Sequence, residues 1–190
     1  MRFTVLVLGL ALIVSPAAAQ PPPAPNPEMA RIFSEDQADR NGEQGTIDWK
    51  AVGPRDEQRR AATRKLLADG LLKTAEDFHA AAFVFQHGHQ ENDFLLAHTL
   101  AMAAVARGKK ESLWIATATL DRYLMQLGRP QIYGTQYSRP HTTRIWTQEP
   151  YNRELLSDAL RSELGVKTLA EQAETLAGLQ AAAPPAQKAP

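Results

Sequence analysis

Cysteine is missing from all 190 residues. Its absence excludes disulfides, thiolate catalysis and Cys-ligated zinc together. An excess of charge of either sign is missing as well, since 21 basic residues stand against 21 acidic ones. A balanced chain gives no general argument for nucleic acid or an anionic membrane as partner. Past the first residues there is no apolar run long enough to cross a bilayer, which takes about 20 residues. Several catalytic signatures are absent too: no Gly-x-Ser-x-Gly elbow, no phosphate-cradling glycine loop, and no histidine pair four apart around a glutamate.

What is present begins with an address. Arg2 gives a positive start, Phe3 to Val14 is apolar apart from Thr4 and Gly9, Pro16 breaks the helix, and Ala17, Ala18 and Ala19 are small. That order of features is the secretory pattern, and the apolar stretch is short for a membrane anchor. Residues 1–19 are therefore expected to be a signal peptide, with Gln20 as the new N-terminus. Only Arg2 leaves with it, so 20 basic against 21 acidic residues remain, a formal charge of −1. An exported protein, periplasmic or extracellular, follows, with no stable membrane insertion after cleavage.

Residues 20–34 open on QPPPAPNP, and proline both lacks an amide proton and fixes φ, so this stretch is expected to be an extended linker. Residues 181–190 (AAAPPAQKAP) are expected to be a disordered tail for the same reason. Between them, residues 35–180 fit one domain of ordinary size.

Gly70, Gly88, Gly108 and Gly128 recur every 18 to 20 residues, each after a run of helix formers, as glycine does at left-handed helix C-caps. Helices are expected from Pro54 to Asp69, from Thr74 to the Gln86 region, from Asn92 to Ala106 and from Lys110 to Leu127. Thr74 and Asp77 have the spacing of a capping box. Apolar groups surround the Asn92–Ala106 segment almost completely, which suits a helix in the middle of a bundle. The next helix shows Leu113, Ala116, Leu120, Leu124 and Leu127 at core spacing. Two further helices are expected from Asn152 to Leu164 and from Thr168 to Leu179. The fold class is thus mostly all-α, a compact bundle of about six helices in antiparallel hairpins. Between the fourth and fifth of these lies a proline-punctuated stretch rich in β-favouring residues, and a short β-hairpin at 131–147 turning at Arg139-Pro140-His141 is plausible there.

Candidate chemistry gathers in three places. His87 follows the second expected helix, beside Gln86 and Gly88, while His98 shares a helix face with Phe94, Ala101 and Val105 and reads as a hydrogen-bonded core histidine. No standard metal spacing joins the histidines, so no metal and no cofactor is expected. Asp121 falls on the face of Trp114, Ala118 and Met125, which should be covered, and a buried carboxylate needs partners. Arg122 points about 100° away, and both side chains are long enough to tie the Gln131–Gln136 loop to the bundle. In that loop Gln131, Tyr133, Thr135 and Gln136 surround Gly134, where glycine admits a close approach. Arg55, Arg59, Arg60, Arg64 and Lys65 form a basic run interleaved with Asp56, Glu57 and Asp69, as a solvated helix face would.

The elements Gln86-His87-Gly88, Leu96-Ala97-His98, Asp121-Arg122 and Gln131-Ile132-Tyr133-Gly134-Thr135-Gln136, taken in this order, resemble a bacterial domain family of unknown function. Asp48-Trp49, Asp56 and Arg60 are similar to it as well, and the likeness spans residues 35–180. The resemblance implies a helical domain common in exported proteins and a single constellation formed by these elements. It implies no reaction.

Two functional expectations follow. The first is a binding module of the cell envelope, taking a small molecule or an envelope protein, with Tyr133 and Gln136 lining a concavity. The alternative is a hydrolase with His87 as general base and Asp121 as its orienting carboxylate, Arg122, Tyr133 or Gln136 holding the developing charge.

Overall fold

Helix formation begins earlier than the N-terminal prolines suggest. In the computed structural model, which describes residues 23–42 and 46–183, the first helix is α1, Pro27–Ala38. Pro27 occupies its first turn, where a missing amide proton costs nothing, and the Asn26 side chain accepts a hydrogen bond from the Met29 amide. Met29 and Ile32 are 0 and 2 % exposed. The expected linker over 20–34 is therefore corrected: residues 27–34 are helical and plugged into the core. The expected signal peptide and the end of the expected tail, 184–190, lie outside the described residues.

α2 spans Trp49–Ala68 and starts a turn and more before Pro54, because Asp48 caps the Lys50 and Ala51 amides. Its basic run is not a solvated face throughout. Arg59 and Arg60 are each only 7 % exposed. Arg59 pairs with Asp56 at 3.0 Å and Arg40 joins Asp36 and Asp56, so α1 and α2 are clasped by ions as well as by hydrocarbon.

α3 covers Ala75–Phe85 and opens on the capping box read from Thr74 and Asp77. Asp77 does more than cap: its other oxygen accepts the Asn26 amide at 2.7 Å, docking the start of α1. α4, Glu91–Ala106, packs on both α3 and α5, Ser112–Gln126. The three meet through small side chains, with Ala81, Ala97, Ala101 and Ala118 fully buried around Phe85 and Ile115. α4 is not enclosed on every side, as its composition had suggested, since Leu95 and Met102 are 37 and 45 % exposed. The leucine stripe of α5 is also corrected. Ala116 is buried as expected, but its companions on the core face are Ile115 and Thr119 rather than the leucines, and Leu127 lies exposed.

Three of the four rhythmic glycines, Gly70, Gly108 and Gly128, take the positive φ expected of C-caps. Gly88 does not. It is required for a close approach instead, because a Cβ there would sit 2.2 Å from the Asp93 Cβ in the first turn of α4.

Beyond α5 the architecture changes. No strand forms among the described residues; the expected hairpin reduces to one antiparallel rung, Ser138 with Thr147, plus an isolated parallel bridge between Gln131 and Tyr151. α6 is short, Asp158–Glu163, and α7 runs Leu169–Ala182. The apolar core cluster contains no residue beyond Ala116. The later segment is fastened instead by buried amides and one guanidinium: Gln131, Gln148, Gln172 and Arg161 are at most 3 % exposed. The molecule is thus an all-α bundle, α1 to α5, carrying a polar-glued C-terminal layer. Among the described residues no helix is long and apolar enough to cross a membrane.

Candidate ligand-binding site

Asp121 is the point where the two layers are joined. It is fully buried, and its carboxylate accepts the amides of Ile132 at 2.8 Å, Tyr133 at 3.0 Å and Thr135 at 3.0 Å. The Thr135 hydroxyl adds a fourth bond at 2.8 Å. A charged acceptor compensated by four donors is well satisfied, each bond being worth roughly 1.5–3 kcal/mol. The loop that would otherwise have no ladder partner is pinned by one side chain from α5.

Arg122, one position on, completes the connection. Its Nε donates to Gln136 Oε1 at 2.9 Å, and its Nη1 donates to the Gln86 carbonyl at 2.9 Å. On the other side of the same turn, Arg60 of α2 donates to the His87 carbonyl at 2.8 Å. The two carbonyls that follow the last residue of α3 are therefore met by two guanidiniums from two other helices, which suits the negative end of a helix. Neither arginine has a carboxylate within ion-pair distance among the described residues. Burial lowers the proton affinity of Arg122, yet a guanidinium stays charged throughout the range in which proteins fold.

Gln131 closes the loop on itself. Its Oε1 accepts the Gln136 amide at 3.0 Å, and its Nε2 donates to the Gln136 carbonyl at 3.0 Å and to the Gln148 carbonyl. Gln148 then reaches the Gly134 carbonyl at 2.7 Å, and Gln172 of α7 reaches the Tyr133 carbonyl at 2.9 Å. Gly134 has φ +76°, and a Cβ there would come 2.1 Å from Gln172 Oε1 and 2.6 Å from the Tyr151 hydroxyl. Glycine is needed here on both counts.

Gln86, Asp121, Arg122, Gln131, Tyr133, Thr135 and Gln136 thus belong to one connected network. His87 sits at its edge, joined through its backbone. The pairing of His87 with Asp121 is not found. Both Asp121 oxygens are occupied by the loop, and the carboxylate facing the imidazole is that of Asp36, 3.6 Å from His87 Nε2. That nitrogen is buried and has no hydrogen-bond partner among the described residues. His98 is held as expected, Nδ1 lying 2.9 Å from the Ala116 carbonyl. No group of three metal-ligating side chains occurs among the described residues.

No family model, no curated protein and no solved structure matches the chain. The molecule's cavities are the features that bear on its function.

Two of them bear on it. A cleft of about 780 Å³ lies between α2, which contributes Glu57, Arg60 and Arg64, and the start of α4, which contributes Glu91 and Asp93 with His89 just before it. Its charges are mixed, and Arg64 is already paired with Asp93. The second, about 260 Å³, lies against the pinned loop and is lined by Trp114, Gly134, Thr135, Tyr137, Lys167 and Gln172 among others. Neither has Tyr133 or Gln136 in its wall, so the concavity expected at those residues is not one of these two; the smaller is lined instead by their loop neighbours Gly134, Thr135 and Tyr137. Trp114, placed by its helix spacing on the covered face with Asp121, is 49 % exposed. The loop covers α5 at Asp121 and leaves the ring two turns earlier as a cavity wall. Burial pushes the Tyr137 phenol up in pKa, so it remains a neutral group. Trp114, Tyr137, Lys167 and Gln172 were not among the candidates, since nothing in their local spacing connects three segments that meet only in the fold.

Proposed function

We propose that the chain is an exported helical binding module of the cell envelope whose small-molecule site is the 260 Å³ cavity between α5, the 134–137 loop and the segment before α7. The observation that carries this reading is the half-exposed Trp114 ring, forming one wall of a cavity whose other wall is a loop fixed by the buried Asp121. Ligand pockets are concave, lined by aromatic groups, and largely formed before the ligand arrives. The cleft near Arg60 has greater volume but mixes charges of both signs and has no aromatic side chain in its wall. Export rests on the features of residues 1–19.

The test is expression of the full-length gene in a bacterial host, followed by fractionation and N-terminal sequencing. An exported product beginning at Gln20 is expected; a cytoplasmic product retaining Met1 would remove the envelope part of the reading. A thermal-shift screen of metabolites and envelope fragments then follows. A ligand at 100 times its dissociation constant should stabilise by about 2.7 kcal/mol. Trp114→Ala and Tyr137→Ala should lose that shift. A hit that stabilises both variants as strongly as the parent binds elsewhere.

A second reading, hydrolysis with His87 as general base, now rests on Asp36 as the orienting carboxylate, because the imidazole Nε2 is buried and otherwise without a partner. Turnover of chromogenic esters or amides that disappears in His87→Gln would favour it over simple binding. No turnover is expected.

A further inference from the structure

The cavity beside the loop also has a chemical character, and the following rests on its being the binding site. Of all the residues in its wall, Lys167 alone carries a charge, and none is acidic. Glu171, whose carboxylate feels the Lys167 charge, lies outside the wall and makes its hydrogen bonds to the capping box of α7, accepting the Thr168 amide and hydroxyl, each at 2.7 Å. Lys167 itself spends one donor on the Thr175 hydroxyl at 2.8 Å and keeps two.

The backbone adds to this. The amides of Gly134, Tyr137 and Lys167, all in residues of the wall, donate to no acceptor among the described residues. Unpaired backbone donors near a positive φ form concavities that suit anions. Gly134 takes φ +76° at one of these free amides, whereas the amides of Gly165 and Val166 are spent on the Ser162 and Arg161 carbonyls. Trp114 and Tyr137 add two aromatic side chains to the same wall.

We infer that the cavity binds a small organic carboxylate carrying one flat ring, the ring against Trp114 and Tyr137 and the carboxylate toward Lys167 and the free amides. The volume of about 260 Å³ falls below the roughly 300 Å³ at which drug-sized ligands begin, so a single ring suits it better than a fused system. A bidentate arginine clamp is not used here; a lysine with backbone donors selects for charge and leaves the orientation to the ring.

The test uses the protein purified from the full-length gene and three probes: phenylacetate, phenylacetamide and acetate. Each is titrated while the three tryptophan indole resonances are followed by NMR. Phenylacetate should move the Trp114 indole signal and bind at least tenfold more tightly than the amide. Acetate, lacking the ring, should leave that signal in place. In Lys167→Met, an exposed position where the fold should be unaffected, the acid–amide preference should fall close to unity. Equal binding of acid and amide, or a preference that survives Lys167→Met, would overturn the carboxylate inference while leaving the cavity as the site. If none of the probes moves Trp114 but a ligand from the thermal-shift screen does, the ligand class is wrong. If nothing moves Trp114, the cavity reading falls with it.

Discussion

Asp121 holds its loop by charge-assisted bonds that a neutral amide cannot reproduce. In Asp121→Asn one oxygen is replaced by a donor facing other donors, so at least two of the four bonds are lost. The expected cost is about 2–4 kcal/mol, read as a lower urea midpoint with an unchanged slope. Amide exchange at Ile132, Tyr133 and Thr135 should accelerate more than anywhere else. An unchanged midpoint would mean that the loop does not depend on this side chain. Gly134→Ala makes a separate demand on the same loop. It forces a left-handed alanine against buried Gln172 and Tyr151, and about 2–4 kcal/mol of stability should be lost in thermal or urea unfolding. The sequence showed the residues of this network but not their directions. Asp121 and Arg122 could be read as loop anchors from helix phase alone, and they are. Trp114, seven residues before Asp121, could not be read correctly, because its exposure depends on where the loop stops.

Helices carry the next level of the account. α1 was hidden by its prolines: the same residue that forbids a helix interior opens a first turn, and the signal lay in Asn26, Pro27 and the Met29–Ile32 spacing. If α1 were linker, Met29→Ala would cost almost nothing; as a fully buried plug it should cost about 2–4 kcal/mol in chemical denaturation. α1, α3 and α5 meet at His79, whose Nδ1 lies 2.8 Å from the Ser112 hydroxyl and whose ring packs against Phe33 and Phe83. Burial lowers its pKa, with Lys109 acting in the same direction. The unfolded chain therefore takes up the proton more readily than the folded one, so stability rises with pH across this titration. The contribution is fully present above the ordinary value near 6.5 and is lost as pH falls through the depressed folded value. The melting temperature should drop between pH 7 and pH 5, and His79→Gln should flatten that slope. A slope that persists in the variant would assign it to another group.

At the scale of the whole molecule, an apolar bundle and an amide-fastened layer share one chain. The bundle was legible from apolar periodicity and glycine spacing. The layer was not, since Gln131, Gln148 and Gln172 have no period and recognise one another only after folding. Hydrocarbon packing and buried amide networks differ in how they open. Native-state hydrogen exchange should show α6 and α7 opening below the global unfolding free energy, while α3 to α5 exchange only with it. Uniform protection would make the chain one cooperative unit. Function is assigned to the seam between the two parts, and one measurement reaches that claim most directly. The strongest ligand from an untargeted screen is titrated into isotope-labelled protein and its chemical-shift changes are mapped. They should centre on the Trp114 indole and the amides of Gly134, Tyr137 and Lys167; changes centred on Arg60, Arg64 and His89 would move the site to the other cleft and contradict the account.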